Sequence, residues 1–223
     1  MSQVAVRLSV DEVVAALLRD AGTIDLHGDE ARLFVQTLRR LTEGKPLNAQ
    51  DVEEIAASVG LTKEQADNVL NWIAEKNDDG EIVGMAGLSQ NQWNQKFRIN
   101  GRDFTTWCAL DTLYLPQVIG QTAAVEAPDP ETGETVRFAL GPNGVDEAPE
   151  GAVISIVVPK IKDKGIESAE QVWTAFCSYS HYFTSVENGQ KWFEGKHVEP
   201  IFLSIDEGHE LGGKWFAQII EYA

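Results

Sequence analysis

Only two cysteines, Cys108 and Cys177, stand in 223 residues, and 18 basic side chains face 35 acidic ones for a net charge of −17. Two thiols are too few for a disulfide framework, and too few for a structural zinc site, which takes four Cys or His ligands in close pairs. Proteins that hold nucleic acid need Lys and Arg to displace counterions from phosphates. Here residues 1–100 hold 10 basic against 16 acidic side chains, and residues 101–223 hold 8 against 19. Neither half is a basic module, so nucleic acid and anionic membrane surfaces are excluded as partners. Long apolar runs are absent too: the best, Ala152–Pro159, is strand-sized. Residues 1–20 interleave Arg7, Asp11, Glu12, Arg19 and Asp20 with apolar positions, so no signal peptide is expected and a reducing cytoplasm follows.

What is present is ordinary for a folded chain: 43% hydrophobic residues, enough for a sizeable core in one large domain or two small ones. Residues 1–100 read as helical. Ser9-Val-Asp-Glu12 and Thr62-Lys-Glu-Gln65 are capping boxes, and Asn48 is a further N-cap. Apolar residues at helical spacing follow each: Val13, Val14, Leu17 and Leu18; Val52, Ile55, Ala56 and Val59; Ala66, Val69, Leu70 and Ile73. Another helix after Asp29 turns Leu33, Phe34, Leu38 and Leu41 inward. Asp79-Gly80 with Ile82–Met85 and Phe97–Ile99 predicts a hairpin, completing a winged-helix outline. Its recognition helix, 62–75, offers only Lys63 among Glu64, Asp67, Asn68 and Glu75, so the outline reads as scaffold rather than DNA reader.

Residues 101–223 read as an α+β domain. Thr105 or Thr106 caps a short helix expected to end near Leu115, before Pro116. Segments 121–127 and 134–140 alternate about an Asp129–Gly133 turn, as a hairpin does. Ala152–Val158 and Ile201–Ile205 read as strands, and Ser168 caps a helix. Phe176–Thr184 reads as a strand with Cys177, Tyr179, His181 and Phe183 on one face. A helix about Glu187–Phe193 and a terminal helix complete the domain.

The chemistry concentrates at Cys108 and Asp111. Three residues apart near a helix start, they share a face, where unpaired backbone N–H groups favour a thiolate. A carboxylate beside a thiol raises both pKa values, and such a pair passes one proton between its members. A packed Cys beside a solvated Asp fits the same spacing. His27, His181, His197 and His209 form no metal motif, and pairing of His181 with either thiol stays open beside a role in packing. A metal satisfied by two thiolates is soft and low-coordinate, such as Cu(I) or Hg(II).

The segment Trp107-Cys-Ala-Leu-Asp-Thr-Leu113, with Pro116 and Ile119-Gly120 after it, resembles the active-site segment of the organomercurial (alkylmercury) lyases. Phe176-Cys-Ser-Tyr-Ser-His-Tyr-Phe183 is similar to that family's segment bearing the second essential cysteine, and Ala152–Pro159 to its apolar strand. The likeness covers most of the chain, most strongly from about 97 to 186, and Gly44-Lys-Pro with its following helices resembles the family's N-terminal region. It implies an α+β fold: a winged-helix-like helical scaffold over 1–100 and, over 101–223, a mixed catalytic domain with a largely antiparallel sheet. It implies protonolysis of R–Hg⁺ to R–H and Hg(II), with Cys108 and Cys177 as the thiol pair and Asp111 as acidic partner. No bound cofactor is implied; exogenous thiols or a mercuric reductase take the Hg(II). The competing reading is a carrier or sensor of Hg(II) or Cu(I) that uses the same thiols without cleaving a bond.

Overall fold

Residues 8–160 and 169–223 are described by the computed structural model. Capping chemistry opens three of the first four helices. Ser9 and Glu12 exchange hydrogen bonds at the start of α1 (Val10–Asp20). Asn48 and Asp51 do so at α3 (Ala49–Ser58), after α2 (Gly28–Leu41), and Thr62 and Gln65 at α4 (Lys63–Leu70). Each exchange satisfies N–H groups that a helix start leaves unpaired. The expected inward faces of α2, α3 and α4 are buried, save Val59, which caps the end of α3 and is half-buried. On α1, Val13 and Leu17 are buried, Val14 is half-buried and Leu18 is 40% exposed, because Leu18 lines a cavity described below.

Eight antiparallel strands form the main sheet: β1 (Ala74–Lys76), β2 (Ile82–Met85), β3 (Leu88–Ser89), β4 (Gln95–Ile99), β5 (Arg102–Thr106), then β6 (Ala123–Pro128), β7 (Thr135–Gly141) and β8 (Gly144–Asp146). Their order is β1-β2-β3-β5-β4-β6-β7-β8. The expected pairing of 82–85 with 97–99 does not occur: β2 pairs with β1 and β3, and β4 with β5 and β6. Two tight turns explain the change. Ala86-Gly87 (φ 48° and 89°) and Asn100-Gly101 (φ 52° and 72°) hold left-handed backbone at both central positions, so each strand folds back on its immediate successor. The expected 121–127/134–140 hairpin is present as β6–β7.

Between β5 and β6 runs α5 (Ala109–Ile119), in which every residue but the half-buried Gln117 is buried. It touches β4, β5, β6 and β7, α2, and two C-terminal helices, α8 (Ile205–Trp215) and α9 (Ala217–Ile220). A helix apolar on all sides belongs inside a fold. The expected end before Pro116 is therefore corrected. The helix continues through Pro116 to Ile119, stopping at Gly120 with φ 79°. Proline in a helix interior costs about 3 kcal/mol, and the burial of Val118 and Ile119 beyond it offsets that cost. The start is corrected too: Cys108, not Thr105 or Thr106, is the N-cap.

A second sheet places β9 (Val153–Ile156) between β10 (Tyr182–Phe183) and β11 (Ile201–Ser204). The strand expected over Phe176–Thr184 is mostly absent. After α6 (Ala169–Ala175), whose expected cap Ser168 lies outside the described residues, Cys177–Tyr179 form a 3-10 turn and only Tyr182–Phe183 pair with β9. The Ser155 hydroxyl donates to the Tyr179 carbonyl at 2.7 Å and accepts the His181 N–H at 3.1 Å, standing in for the missing ladder. Among the described residues no helix is long and apolar enough to cross a membrane.

One buried carboxylate ties the sheets together. Asp129, fully buried in the β6–β7 turn, accepts the N–H groups of Glu131 and Thr132. It also accepts the Thr184 N–H and hydroxyl and the Asn188 amide, the last from α7 (Val186–Phe193). Burial works to raise its pKa, but the Thr184, Glu131 and Thr132 donors outweigh burial and hold it below the usual value. A depressed carboxylate stabilises the fold above its unfolded pKa of about 3.9. Asp129→Ala should cost about 2–4 kcal/mol at pH 7, read as a lowered urea midpoint. The gap between the two chains should close as pH falls through the depressed pKa. Equal midpoints at pH 7 would refute this role.

Candidate active site

Trp107 and Cys108 link β5 to α5. The Trp107 N–H donates to the Gly87 carbonyl at 3.0 Å, and the Thr106 hydroxyl to the Cys108 carbonyl at 2.8 Å. Cys108 is extended (φ −149°, ψ 176°) and stands where a helix usually carries Ser, Thr, Asn or Asp. Its N–H donates to Asp111 Oδ2 at 2.8 Å, and its sulfur faces the Asp111 N–H in return. The CxxD spacing is thus a capping box with a thiol in place of a hydroxyl.

The 3-10 turn brings Cys177 to the same point. The sulfurs of Cys108 and Cys177 and a carboxylate oxygen of Asp111 all lie within 4.8 Å of one another. The three residues are 1%, 4% and 8% exposed, and both cysteines are free thiols. Three sequence-predicted residues, two of them 69 positions apart, therefore meet in one buried cluster. His181 does not join it: its Nε2 lies 2.9 Å from the Ser178 carbonyl, and its ring packs edge-on to Trp192.

The electrostatics separate the three groups. Burial works to raise the Cys108 pKa. The Cys177 thiol, the Asp111 N–H and side chain, and the Ser180 hydroxyl outweigh burial and bring it down to about 7. Cys177, donating to Cys108 and buried, is pushed well above a normal thiol. Burial first, then the charge of Cys108, pushes Asp111 well above the carboxylate range. The cluster therefore holds one acidic thiol, one reluctant thiol and a carboxyl that keeps its proton.

Sequence reasoning missed the supports. Ser180, 1% exposed, takes the Ala109 N–H on its carbonyl and the Leu110 N–H on its hydroxyl, each at 3.2 Å. The signal lay in Cys-Ser-Tyr-Ser-His, masked by its strand-like alternation. Gly87 abuts Asp111: a Cβ built there would lie 2.3 Å from the Asp111 carboxyl carbon, so only glycine lets this turn wall the carboxyl. The Tyr114 hydroxyl donates to the Ala86 carbonyl and pins the same turn against α5. Tyr182 OH donates to the Ala109 carbonyl at 3.0 Å and meets the Thr112 hydroxyl at 2.6 Å, clamping the first turn of α5 to β10.

A cavity of about 810 Å³ opens onto Asp111 and Cys177. Its walls are mostly apolar, with Leu18, Leu26, Trp72, Trp107, Phe176 and Trp215 among them. An apolar chamber that reaches the Cys177 thiol and a protonated carboxyl, with Cys108 directly behind them, can receive a hydrophobic molecule bearing a thiophilic atom and deliver a proton beside it.

The model of a family described as MerB, alkylmercury lyase, matches residues 88–217. Alkylmercury lyase from Staphylococcus epidermidis is 35% identical over 183 residues, 81% of this chain and 79% of that protein. The Streptomyces lividans protein of the same name is 34% identical over 81% of this chain and 80% of its own. The Pseudomonas putida one is 29% identical over 84% and 87%. The crystal structure of the mercury-bound form of MerB2 superposes with a TM-score of 0.70 at 19% identity, covering 95% of this chain and 98% of that one, which shows the shared α/β fold with its large antiparallel sheet. By the matched model and by identity across four-fifths of its length, the chain belongs to the alkylmercury lyase family.

Proposed function

We propose that the chain is an organomercurial lyase that cleaves the carbon–mercury bond of R–Hg⁺ by protonolysis for mercury detoxification, with Cys108, Cys177 and Asp111 as the reacting groups. The observation that carries the assignment of roles is the clustering of two sulfurs and a carboxyl oxygen within 4.8 Å, two of the three residues, Cys177 and Asp111, lining an apolar cavity. Mercury here is substrate and product, and no resident cofactor is proposed.

The directions of the pKa shifts favour one order. Cys108, the acidic thiol, attacks mercury as a thiolate and displaces the thiolate that accompanied R–Hg⁺ into the site. Asp111 gives its proton to the carbon as the carbon–mercury electron pair moves onto that carbon, releasing R–H. Cys177 closes onto mercury, and its thiol proton passes to the Asp111 carboxylate. One proton is consumed, supplied by Cys177, and Hg(II) ends on two thiolates. Hg(II) leaves to exogenous thiols or to a mercuric reductase, in the cytoplasm where such thiols are abundant. A carrier of soft metal would need the two sulfurs but no proton donor; the buried carboxyl beside them favours the lyase.

Within this reading residues 101–223 contribute all three reacting groups, and residues 1–100 are a winged-helix-like scaffold built from α2, α3, α4 and the β1–β2 hairpin. That scaffold walls the cavity through Trp72 and Gly87. It is no DNA reader: Lys63, on the outer face of α4, is already paired with Asp67 at 2.5 Å.

Three substitutions test the roles with phenylmercury in excess thiol, reading benzene in the headspace. Cys108→Ser and Cys177→Ser should each reduce release by at least about a thousandfold. Asp111→Ala should still bind one Hg(II) per chain yet cleave at least about a hundredfold more slowly. Cleavage at the parental rate in any of the three removes that residue from the mechanism. The pH profile follows from the same shifts. Release should rise as pH passes about 7, where Cys108 ionises, and fall again where Asp111 loses its proton. A rate independent of pH between about 5.5 and 8.5 would contradict a thiolate of this pKa.

A further inference from the structure

Ser180 touches both cysteine-bearing segments at once. Its N–H donates to the Cys177 carbonyl at 3.1 Å, closing the 3-10 turn. Its carbonyl and hydroxyl accept the Ala109 and Leu110 N–H groups, the first two of α5. An N-cap side chain normally takes the second or third N–H of its helix, and here the N-cap is Cys108, whose sulfur faces the third, that of Asp111. The first turn of α5 is therefore capped from outside, by a residue 70 positions away. The Ser180 hydroxyl, whose oxygen accepts from Leu110, also lies beside Cys108 and works to lower the pKa of that thiol.

We propose that Ser180 is a positioning residue of the lyase reaction, its backbone clamping the two cysteine segments together and its hydroxyl orienting the Cys108 thiolate for attack on mercury. The proposal rests on the lyase reading above. A hydroxyl suits this place because one oxygen must accept the Leu110 N–H and donate to sulfur at the same time. An aliphatic side chain leaves the Leu110 N–H unpaired and the thiolate with one donor fewer. Its backbone bonds are open to every residue but proline, so the side chain's contribution separates from that of the fold.

The test compares Ser180→Ala, Ser180→Thr and Ser180→Val, the last two nearly equal in volume and differing in the hydroxyl. Each is measured for phenylmercury cleavage, for thermal midpoint, and for iodoacetamide alkylation of Cys108 in a Cys177→Ser background at pH 7. Ser180→Ala and Ser180→Val should lower kcat by about tenfold or more, leave KM within about twofold, and slow alkylation in parallel. Ser180→Thr should keep both rates within about threefold of the parent. Parental rates in Ser180→Ala, or equal losses in Ser180→Thr and Ser180→Val, would overturn the proposal, the second outcome assigning Ser180 to packing alone. If the parent chain releases no benzene, the lyase reading falls, while the alkylation series still decides whether the hydroxyl serves Cys108.

Discussion

At the first turn of α5 a helix start, two thiols and a carboxyl are packed out of contact with bulk water. A helix end leaves N–H groups that must find acceptors, and a buried end must find them within the protein. Here the acceptors are the Cys108 sulfur, the Ser180 carbonyl and the Ser180 hydroxyl, while the Asp111 carboxyl takes the Cys108 N–H. The same unpaired donors that make a helix end costly to bury also favour negative charge on sulfur. Capping α5 and lowering the pKa of Cys108 are one arrangement.

Much of the remaining architecture serves that turn. The β2–β3 hairpin presses Gly87 against the Asp111 carboxyl, and Tyr114 holds the hairpin in place. The Ser155 hydroxyl replaces a stretch of β-ladder so that residues 177–180 can leave the sheet and reach α5. Asp129 fastens the far end of that segment at Thr184. Burial then acts on the three clustered groups with opposite results. Donors around Cys108 overcome its desolvation, whereas Cys177 and Asp111 find none that suffice and retain their protons.

Local signals in the chain were legible where the physics is local. The capping boxes at Ser9 and Thr62, the N-cap at Asn48 and the β6–β7 hairpin depend on neighbours within a few residues, and each stands as read. Readings failed where distant atoms decide. Pro116 argues for a helix end by its own chemistry, yet burial of α5 on all sides carries the helix past it. Phe176–Thr184 alternates as a strand does, yet Ser155 and the α5 N-terminus pull its first half into a turn. The hairpin joining 82–85 to 97–99 lost to two shorter turns that close sooner.

The amino-acid sequence by itself determined the reagents: two cysteines and a carboxyl three residues from one of them. Residue types and close spacing suffice for that, because ionisation chemistry and helix capping are properties of short segments. Tertiary structure alone decided that Cys177 lies beside Cys108 and not 69 residues away, which thiol ionises, and that Ser180 and Gly87 attend the pair. Those outcomes depend on burial and on donors delivered from other strands and turns. No window along the chain contains them.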